Sequence, residues 1–403
     1  MTTVAFLTTA PYQLHHYAAV SRHLEARQVT YLIERRTSDF QLTPHDVEAV
    51  APGAQIDETT YERLEEIDGR YDVVVCQTPV LPNRLLKKSA VVAQQYSLAK
   101  TNYQLGVWRS LCTLNLMYGA HSTSRVEGFA VARAVGNPLF DDRSTFTAPD
   151  TGAPGLYLPT YGSLSSSSET FARLAEIDAE FVVRLHHATV ADNPPALPPN
   201  CVLASPERHP MDLIAESSFV ISDCSGAGYD AVGAFRPLVL VSSPDTGDEA
   251  VHRLGRDERT SSPLTEFGAE WHLGRPLDDA IDEARGLAER SGVHEQFVER
   301  YYTNFGEAGP AAAEAIVGSV DTSWSMSFGH EVVRDHVAKS LAEKRHLADD
   351  NRRLRHANTK LRTRRQEVTS KLANRWSDRA RSQLQRQPRL HRAMHTLRRT
   401  IQR

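Results

Sequence analysis

The sequence lacks any hydrophobic run long enough to cross a membrane. A bilayer-spanning helix needs roughly 18 or more consecutive apolar residues. Hydrophobic residues make up only 40% of the 403-residue chain, and the mean hydropathy is −0.42. The N-terminal stretch also lacks the basic residues that precede the apolar part of a secretory signal. We therefore expect a soluble cytoplasmic protein, or one that is peripheral on the inner face of the cell membrane.

Cysteine is scarce, and its spacing excludes two further kinds of protein. The four cysteines are scattered without a Cys-x-x-Cys pair: Cys76, Cys112, Cys201 and Cys224. This arrangement indicates neither a zinc site nor a disulfide framework, so we expect buried, reduced thiols. We assign no metal ligands and no cofactor, because no ligand cluster has a suitable spacing, and metal dependence stays open.

Charge is divided unequally along the chain. Residues 331–403 hold 21 Lys and Arg against 7 Asp and Glu, whereas residues 1–330 hold 25 against 43. The tail is therefore strongly basic and the body acidic, although the net charge of the whole chain is only −4. A basic arm of this kind is typical of proteins that bind an anionic partner.

Two apolar patterns in this tail predict helices. In residues 344–372 an apolar residue recurs every seven positions, with Asn351 and Asn358 between, which is typical of a short coiled coil that would form a homodimer; the alternative is a single exposed helix with chance spacing. In residues 375–403 one helix face is apolar and the opposite face is rich in arginine, which favours docking on an anionic membrane. We do not expect nucleic acid as a partner, because Trp376 is the tail's only aromatic residue.

Short apolar segments alternate with helical stretches through the first 320 residues, a pattern typical of parallel sheets with crossover helices. The predicted strands are Val4–Thr8, Val29–Ile33, Asp72–Cys76, Ala90–Gln94, Leu114–Tyr118, Leu156–Leu158, Phe181–Leu185, Val202–Ala204, Phe219–Ser222 and Leu238–Val241. Helices are predicted at Tyr17–Arg27 and at residues 168–178, 211–217, 227–234 and 277–291. We expect an α/β protein with two Rossmann-like domains, residues 1–142 and 155–325, joined by a linker at 143–154 and followed by the basic helical tail at 331–403.

The most specific segment follows the predicted strand Phe219–Ser222. Asp223, Ser225 and Gly226 lie in a turn of small residues before a helix, whose free N–H groups attract anions. Ser225 would add a hydroxyl donor, and Gly226 would let a phosphate approach the backbone. The alternative is that Asp223 and Ser225 only cap the helix.

Arg184 lies near the end of another predicted strand of the same half, Phe181–Leu185, and His186 directly follows that strand. Ligands of open α/β sheets bind beyond the carboxyl ends of the strands, so both side chains are expected at the same cleft edge as Ser225. An imidazole there could neutralise a diphosphate or protonate a leaving phosphate. His186 is therefore our first catalytic candidate, and a purely structural histidine is the alternative.

The order and spacing of these residues resemble the CDP-glycerol glycerophosphotransferase family of teichoic acid and capsule synthesis. The resemblance covers about residues 90–320 and includes Gly136–Asp141, Leu158–Tyr161, Arg184–His186, Ser222–Ser225, Arg236–Val239 and Tyr301–Ala308. It implies a GT-B fold and transfer of an alcohol-phosphate from a CDP-activated donor to a lipid-linked or polymeric glycan. By this resemblance His186 would stabilise the leaving CMP, and the donor phosphates and nucleotide would lie against Thr160, Arg184, Asp223, Ser225 and Gly226.

The first half departs from the family pattern. Where the family has His-Gly-Thr-x-x-Lys, this chain has Gln95-Tyr96-Ser97-Leu98-Ala99-Lys100. Gln95, Ser97 and Lys100 would lie on the acceptor side, but glutamine cannot act as a general base. His15 or His16, which follow the first predicted strand, are the candidate substitutes, and the alternative is that His16 begins a helix without a catalytic role. The family's Asp-Tyr-Ser-Ser turn also loses one hydroxyl at Cys224, and the Arg after its proline is Leu139.

The missing base leaves two other functions open. One is a glycosyltransferase that uses a sugar nucleotide, for which Glu216, Asp223 and Asp230 are the available carboxylates. The other is a non-catalytic assembly protein that works through its basic tail, in which case His186→Ala would leave cellular function intact and deletion of residues 331–403 would abolish it. Fold alone does not decide among them.

Overall fold

The chain forms two compact units, residues 1–338 and 339–403. The computed structural model describes residues 2–344, with gaps at 26–27, 36–41, 82–85, 142–145, 147–149, 187–188, 190–195, 206–207, 243–252, 255–257, 259–261, 273 and 321–327, and also residue 360. In the second unit the described residues are helical. The predicted coiled-coil seam between Leu347 and Val368 and the membrane-docking face at 375–403 lie outside the described residues.

The first unit begins with a seven-stranded parallel sheet in the order β3-β2-β1-β4-β5-β6-β7. Its strands are β1 Val4–Thr8, β2 Val29–Glu34, β3 Gln55–Thr59, β4 Val73–Cys76, β5 Ala90–Gln94, β6 Leu114–Met117 and β7 Ala132–Ala134. The accompanying helices are α1 Tyr12–Ser21, α2 Pro44–Val50, α3 Thr101–Gln104 and α4 Ala120–Val126, with 3₁₀ helices at Tyr61–Ile67, Val107–Leu111 and Pro138–Phe140.

A second parallel sheet of six strands follows, in the order β10-β9-β8-β11-β12-β13. Its strands are β8 Gly155–Leu158, β9 Phe181–Val183, β10 Cys201–Leu203, β11 Val220–Ser222, β12 Leu238–Val241 and β13 Ala269–Trp271. The helices are α5 Ser167–Leu174, α6 Pro210–Glu216, α7 Gly226–Gly233, α8 Leu277–Ala288, α9 Val293–Tyr301 and α10 Ala308–Gly318, with 3₁₀ helices at Gly162–Leu164 and Pro263–Glu266. The order repeats that of the first six strands and is the Rossmann order, which confirms the predicted fold class.

Burial explains which strands the sequence predicts. Strands such as β1, β4 and β12 are buried along their whole length, so they read as continuous apolar runs. The sequence missed β3, β7 and β13, which lie at sheet edges and are partly exposed. Their mixed composition carries no apolar run, and pairing with a buried neighbour determines them instead.

Helix α1 corrects one prediction. It begins at Tyr12 and ends at Ser21, rather than spanning Tyr17–Arg27. The side-chain oxygen of Gln13 accepts hydrogen bonds from the backbone N–H groups of Thr9 (2.6 Å) and Ala10 (3.0 Å), which closes the turn after β1 and lets the helix start early. His15 and His16 therefore lie within a helix.

The chain returns to the first sheet after completing the second. Ala312 and Ile316 of α10 pack with Leu14 and Tyr17 of α1 in the first sheet's core. The Asp141 carboxylate accepts hydrogen bonds from the first N–H groups of α10, those of Ala308 (2.8 Å) and Gly309 (2.5 Å). The last helix of the predicted second domain thus contributes to the core of the first sheet.

The two halves also share a hydrophobic core. Leu98 and Tyr118 from the first half pack in one cluster with Val232 and Tyr302 from the second. Gly136, at φ +99°, lies where a Cβ would approach the carbonyl oxygen of Thr303 to 2.2 Å. Only glycine fits this crossing, so the contact fixes how the chain passes between the halves.

Three smaller findings concern membranes, metals and thiols. Within the described residues, no helix is long and apolar enough to span a membrane. The same part of the chain contains no group of three or more His, Cys, Asp or Glu placed to hold a metal ion. All four cysteines are free thiols, and only Cys224 is partly exposed.

Candidate functional site

The candidate site lies where β8, β9 and β11 end in the second sheet. These three strands are neighbours, and the connections from β8 and β11 diverge to opposite sides of the sheet. Such a switch point opens a crevice at the carboxyl edge. Thr160 and Asp223 follow β8 and β11, as predicted, and Arg184 follows β9 because that strand ends at Val183 rather than at Leu185.

Asp223 holds this edge of the sheet together through buried hydrogen bonds. Its side chain is buried, and its carboxylate accepts hydrogen bonds from the N–H of Thr160 (2.8 Å) and from the N–H (3.1 Å) and hydroxyl (3.0 Å) of Ser166. Burial raises the pKa of the Asp223 carboxyl, and these hydrogen bonds oppose the rise. The described contacts of Asp223 are therefore with protein groups, and they hold the loop after β8 in place.

Lys100 reaches this loop from the first half. Its Nζ donates a hydrogen bond to the hydroxyl of Thr160 at 2.7 Å. Burial lowers the pKa of the Lys100 ammonium, and the nearby Asp223 carboxylate only partly opposes this shift. The contact brings a predicted acceptor-side residue and a predicted donor-side residue together.

The backbone of Lys100 is held in an unusual conformation. Its φ of +60° is unfavourable for a residue with a side chain. The Glu258 carboxylate accepts hydrogen bonds from the N–H groups of Lys100 (2.7 Å) and Thr101 (2.9 Å). A strained residue persists when its surroundings over-determine it, and such residues concentrate at functional sites.

Three basic side chains surround the ring of Tyr161. The His186 ring stacks on it with centroids 4.2 Å apart. Arg253 lies with its Cζ 5.0 Å from the ring centroid and donates a hydrogen bond to the Tyr161 hydroxyl at 2.5 Å. The Lys100 Nζ is 5.6 Å from the centroid. Cations are attracted to the face of an aromatic ring, so Tyr161 gathers positive charge at the cleft edge.

Ser225 and Gly226 make the turn from β11 into α7. Ser225 is the N-cap residue, and its hydroxyl accepts a hydrogen bond from the N–H of Ala227 at 3.4 Å. A Cβ on Gly226 would lie 2.4 Å from the hydroxyl oxygen of Ser97. Capping is thus the contact observed for Ser225, and Gly226 permits the close approach of the Ser97 loop.

Gln95 supports the same loop. Its amide nitrogen donates to the carbonyl oxygen of Ser97 (2.8 Å) and the hydroxyl of Ser122 (3.1 Å), and its amide oxygen accepts from the N–H of Tyr118 (2.9 Å). The side chain is fully buried. Gln95 therefore links the end of β5 to the end of β6 and to the loop that contains Ser97.

The remaining predicted site residues are dispersed. Burial lowers the pKa of His16 to about 3, with a smaller contribution from His15, so its imidazole is neutral at neutral pH and a weak base. The His15 ring meets the ring of His209, from the second half, at 4.3 Å. Arg184 donates to the carbonyl oxygen of Ser205 at 2.8 Å, and burial lowers its pKa.

Asp230 is the carboxylate of α7 that faces the first half. Gly226, Asp230 and Gly233 share one helix face, and a Cβ on Gly233 would lie 2.7 Å from the ring of Phe140. The amide nitrogen of Asn137 lies 3.5 Å from the Asp230 carboxylate. Burial raises the pKa of Asp230 to about 7. Glu216, by contrast, is exposed and pairs with Arg208.

Sequence reasoning missed Arg253, Glu258 and His209 altogether. They lie in polar connecting segments without periodicity, and only the fold brings them to the cleft. Tyr161 carried a usable signal, because it closely follows β8.

No protein-family model matches the sequence, and a comparison with curated proteins gives no match. Solved structures do match. A putative UDP-N-acetylglucosamine 2-epimerase from Listeria monocytogenes superposes with a TM-score of 0.55 at 14% identity, covering 81% of this chain and 99% of that one. The S. aureus MnaA-UDP complex gives 0.53 at 12% identity, covering 80% and 96%.

A variant of the wall teichoic acid polymerase TagF, soaked with CDPG, gives a TM-score of 0.51 at 12% identity, covering 79% of this chain and 88% of that one. Identities this low establish the fold alone. Together with the two Rossmann-type sheets, they define the first unit as a GT-B-like α/β protein.

Proposed function

We propose that the protein is a transferase that moves an alcohol-phosphate, of the glycerol-phosphate type, from a CDP-activated donor to a hydroxyl of a glycan or polymer. The observation that carries the proposal is the convergence of Lys100, Arg253 and His186 on Tyr161 at the carboxyl edge of the second sheet. A diphosphate is the natural ligand of such a cluster, because it carries the complementary charge. The similarity in fold to TagF agrees with this substrate class.

The chemistry requires one bond to form and one to break. The acceptor hydroxyl oxygen attacks the phosphorus that bears the alcohol, and the bond from that phosphorus to the bridging oxygen breaks. CMP leaves with the electron pair, and the hydroxyl proton passes to a base. Lys100 and Arg253 would stabilise the charge that develops on the transferred group, and His186 would contact the leaving phosphate. His15 is the histidine at the boundary between the halves and is our candidate base.

Nucleotide-dependent thermal stability tests the proposal. A ligand that binds only the native state stabilises it by about 2.7 kcal/mol at a hundredfold excess over Kd. We expect CDP and CDP-glycerol to stabilise the wild type more than UDP or UDP-sugars do, because the proposed donor is a CDP compound. His186→Ala should weaken the shift, whereas His45→Ala, at an exposed position of α2, should leave it unchanged. Equal shifts in the wild type and His186→Ala would refute the role of His186.

A sugar-nucleotide-dependent glycosyltransferase is the second candidate. Asp230 favours it, because a half-buried carboxyl with a raised pKa at the boundary between the halves is suited to acid-base chemistry. The UDP-bound structural neighbour agrees with a sugar-nucleotide donor. A preference for UDP-sugars in the thermal-shift experiment would support this function, and no response to any nucleotide would support an assembly protein.

We propose that the basic tail docks the enzyme on the inner face of the cell membrane, where a lipid-linked acceptor would be presented. Each Lys or Arg near an anionic surface contributes about 1 kcal/mol. The intact protein should cosediment with anionic vesicles at low salt and should lose this binding without residues 375–403. Failure to bind these vesicles would refute the proposal. Residues 344–372 would form the homodimer, which sedimentation of the intact chain can test.

A further inference from the structure

Lys100 occupies a helix position for which a lysine is poorly suited. It is the N-cap residue of α3, and its side chain makes no capping hydrogen bond. A cap needs an acceptor for the unpaired N–H groups at the start of a helix, and the lysine ammonium only donates. The backbone of Lys100 is also left-handed, with φ +60° and ψ +52°. Helix α3 therefore has no cap of its own, and the Lys100 conformation needs support from elsewhere in the fold.

Glu258 of the second half supplies this support. One oxygen of its carboxylate accepts a hydrogen bond from the N–H of Lys100 at 2.7 Å. The other oxygen accepts from the N–H (2.9 Å) and the hydroxyl (2.7 Å) of Thr101. Three donors from two consecutive residues thus meet one partly buried carboxylate, where charge-assisted hydrogen bonds are strong. Glu258 acts as the cap that Lys100 cannot provide.

The residues that precede Glu258 are anchored in both halves. Leu254 is buried and packs against Leu164 of the second half. Its carbonyl oxygen accepts a hydrogen bond from the side-chain amide of Asn102 in α3 at 2.7 Å. Arg253 belongs to the basic cluster at the cleft edge. The chain between β12 and β13 therefore holds the start of α3 against the second half at more than one point.

The fixed backbone of Lys100 directs its side chain into the basic cluster. The Lys100 Nζ donates to the hydroxyl of Thr160 at 2.7 Å and lies 5.6 Å from the centroid of the Tyr161 ring. The left-handed conformation is unfavourable for a residue with a Cβ. Without the Glu258 carboxylate, Lys100 would relax toward an ordinary conformation, and the direction of its side chain would change with the backbone angles.

The charge of Glu258 shows that its effect on a donor passes through Lys100. A carboxylate repels phosphate groups, so Glu258 is unsuited to bind them itself. Burial lowers the pKa of the Lys100 ammonium, and the carboxylates of Asp223 and Glu258 both oppose this shift. Glu258 therefore supports the positive charge of Lys100 as well as its conformation.

We propose that Glu258 is a positioning residue, which holds the Lys100 backbone so that the Lys100 ammonium is presented to the phosphates of the donor. The hold on Lys100 is a property of the ligand-free protein. The identity of the ligand as a donor diphosphate rests on the proposed function.

Lysine acetylation of the ligand-free, intact protein tests the hold of Glu258 on Lys100. Glu258→Gln keeps the shape of the side chain but replaces one acceptor oxygen with a donating amide group. Treatment with acetic anhydride and mass spectrometry should show that Lys100 reacts roughly 3- to 10-fold faster in this variant, relative to the exposed Lys87, because a hydrogen bond that restrains it is lost. Glu299→Gln, at an exposed position of α9, should leave the ratio unchanged. The same ratio in Glu258→Gln and the wild type would overturn the proposal.

A double-mutant cycle tests whether Glu258 acts through Lys100. In calorimetric titrations, Glu258→Gln should bind CDP roughly 3- to 10-fold more weakly than the wild type. The same exchange should have no further effect in the Lys100→Met background, because the side chain that Glu258 positions is then absent. A residue with a purely structural role would lower the melting temperature without this dependence on Lys100. Unchanged CDP affinity in Glu258→Gln, or an equal further loss in the double variant, would overturn the proposal.

The two experiments separate this inference from the proposed function. Nucleotide binding by the wild type with unchanged acetylation of Lys100 in Glu258→Gln would overturn only the positioning role. Faster acetylation in that variant, with no binding of any nucleotide by the wild type, would support the hold of Glu258 on Lys100 and overturn the transferase together with its donor.

Discussion

Replacement of Asp230 by asparagine should change how stability depends on pH. Burial raises the pKa of this carboxyl from its ordinary 3.8 to about 7. The native state therefore holds the proton more tightly than the unfolded state, and stability falls as the pH rises between these two values. Each pKa unit corresponds to about 1.4 kcal/mol, so the total cost above the native pKa is about 4 kcal/mol.

Asp230→Asn removes the ionisable group while preserving its shape and its proximity to Asn137. Urea denaturation of the wild type and the variant at about pH 5 and about pH 8 should show that the variant gains about 2–3 kcal/mol relative to the wild type over this interval. Asp178→Asn, at an exposed loop position, controls for the substitution itself. If the difference between Asp230→Asn and the wild type is the same at both pH values, the carboxyl is not held in a buried environment.

Two further predictions concern the contact between the halves. Lys100→Met removes the ammonium that contacts Thr160, and it should leave the free protein as stable as the wild type or more stable, because a desolvated charge is lost. The variant should bind nucleotide roughly 10- to 100-fold more weakly in calorimetric titrations, because a charge-assisted hydrogen bond contributes about 1.5–3 kcal/mol. Lys87→Met, at an exposed position, should change neither quantity, and unchanged nucleotide affinity in Lys100→Met would contradict the assignment of the phosphate site. Gly226→Ala should destabilise the protein by about 1–3 kcal/mol, because the added methyl group overlaps the Ser97 hydroxyl. Ser97→Ala in the same chain should restore part of that loss in thermal unfolding, and additive effects would refute the contact.

The sequence predicts the fold where burial and chain order act together. Val4–Thr8 and Leu238–Val241 are apolar throughout, so their strand boundaries follow from composition. The edge strand Gln55–Thr59 does not, because its exposed side tolerates polar residues. Helix α1 shows a third case, in which the Gln13 side chain determines where the helix starts.

The candidate site was accessible to sequence reasoning only in part. Thr160, Asp223 and His186 lie within three residues of the ends of β8, β11 and β9, and the rule for open sheets places them at one edge. The individual roles depend on three-dimensional contacts: Asp223 meets protein donors, His16 is buried, and the hydroxyl of Ser225 caps a helix. Partners that reach the site from distant loops left no local signal in the sequence.

The leaving group tests the proposed transferase most directly. In alcohol-phosphate transfer the bond between the alcohol-bearing phosphorus and the oxygen that bridges the two donor phosphates breaks, so CMP is released. In glycosyl transfer the nucleoside diphosphate leaves intact. We would incubate the intact protein with CDP-glycerol and a high concentration of glycerol and follow the products by ³¹P NMR. Our account predicts CMP together with a glycerol phosphodiester in the wild type and much slower formation of both in His186→Ala. Release of UDP from a UDP-sugar, with no turnover of CDP-glycerol, would contradict it.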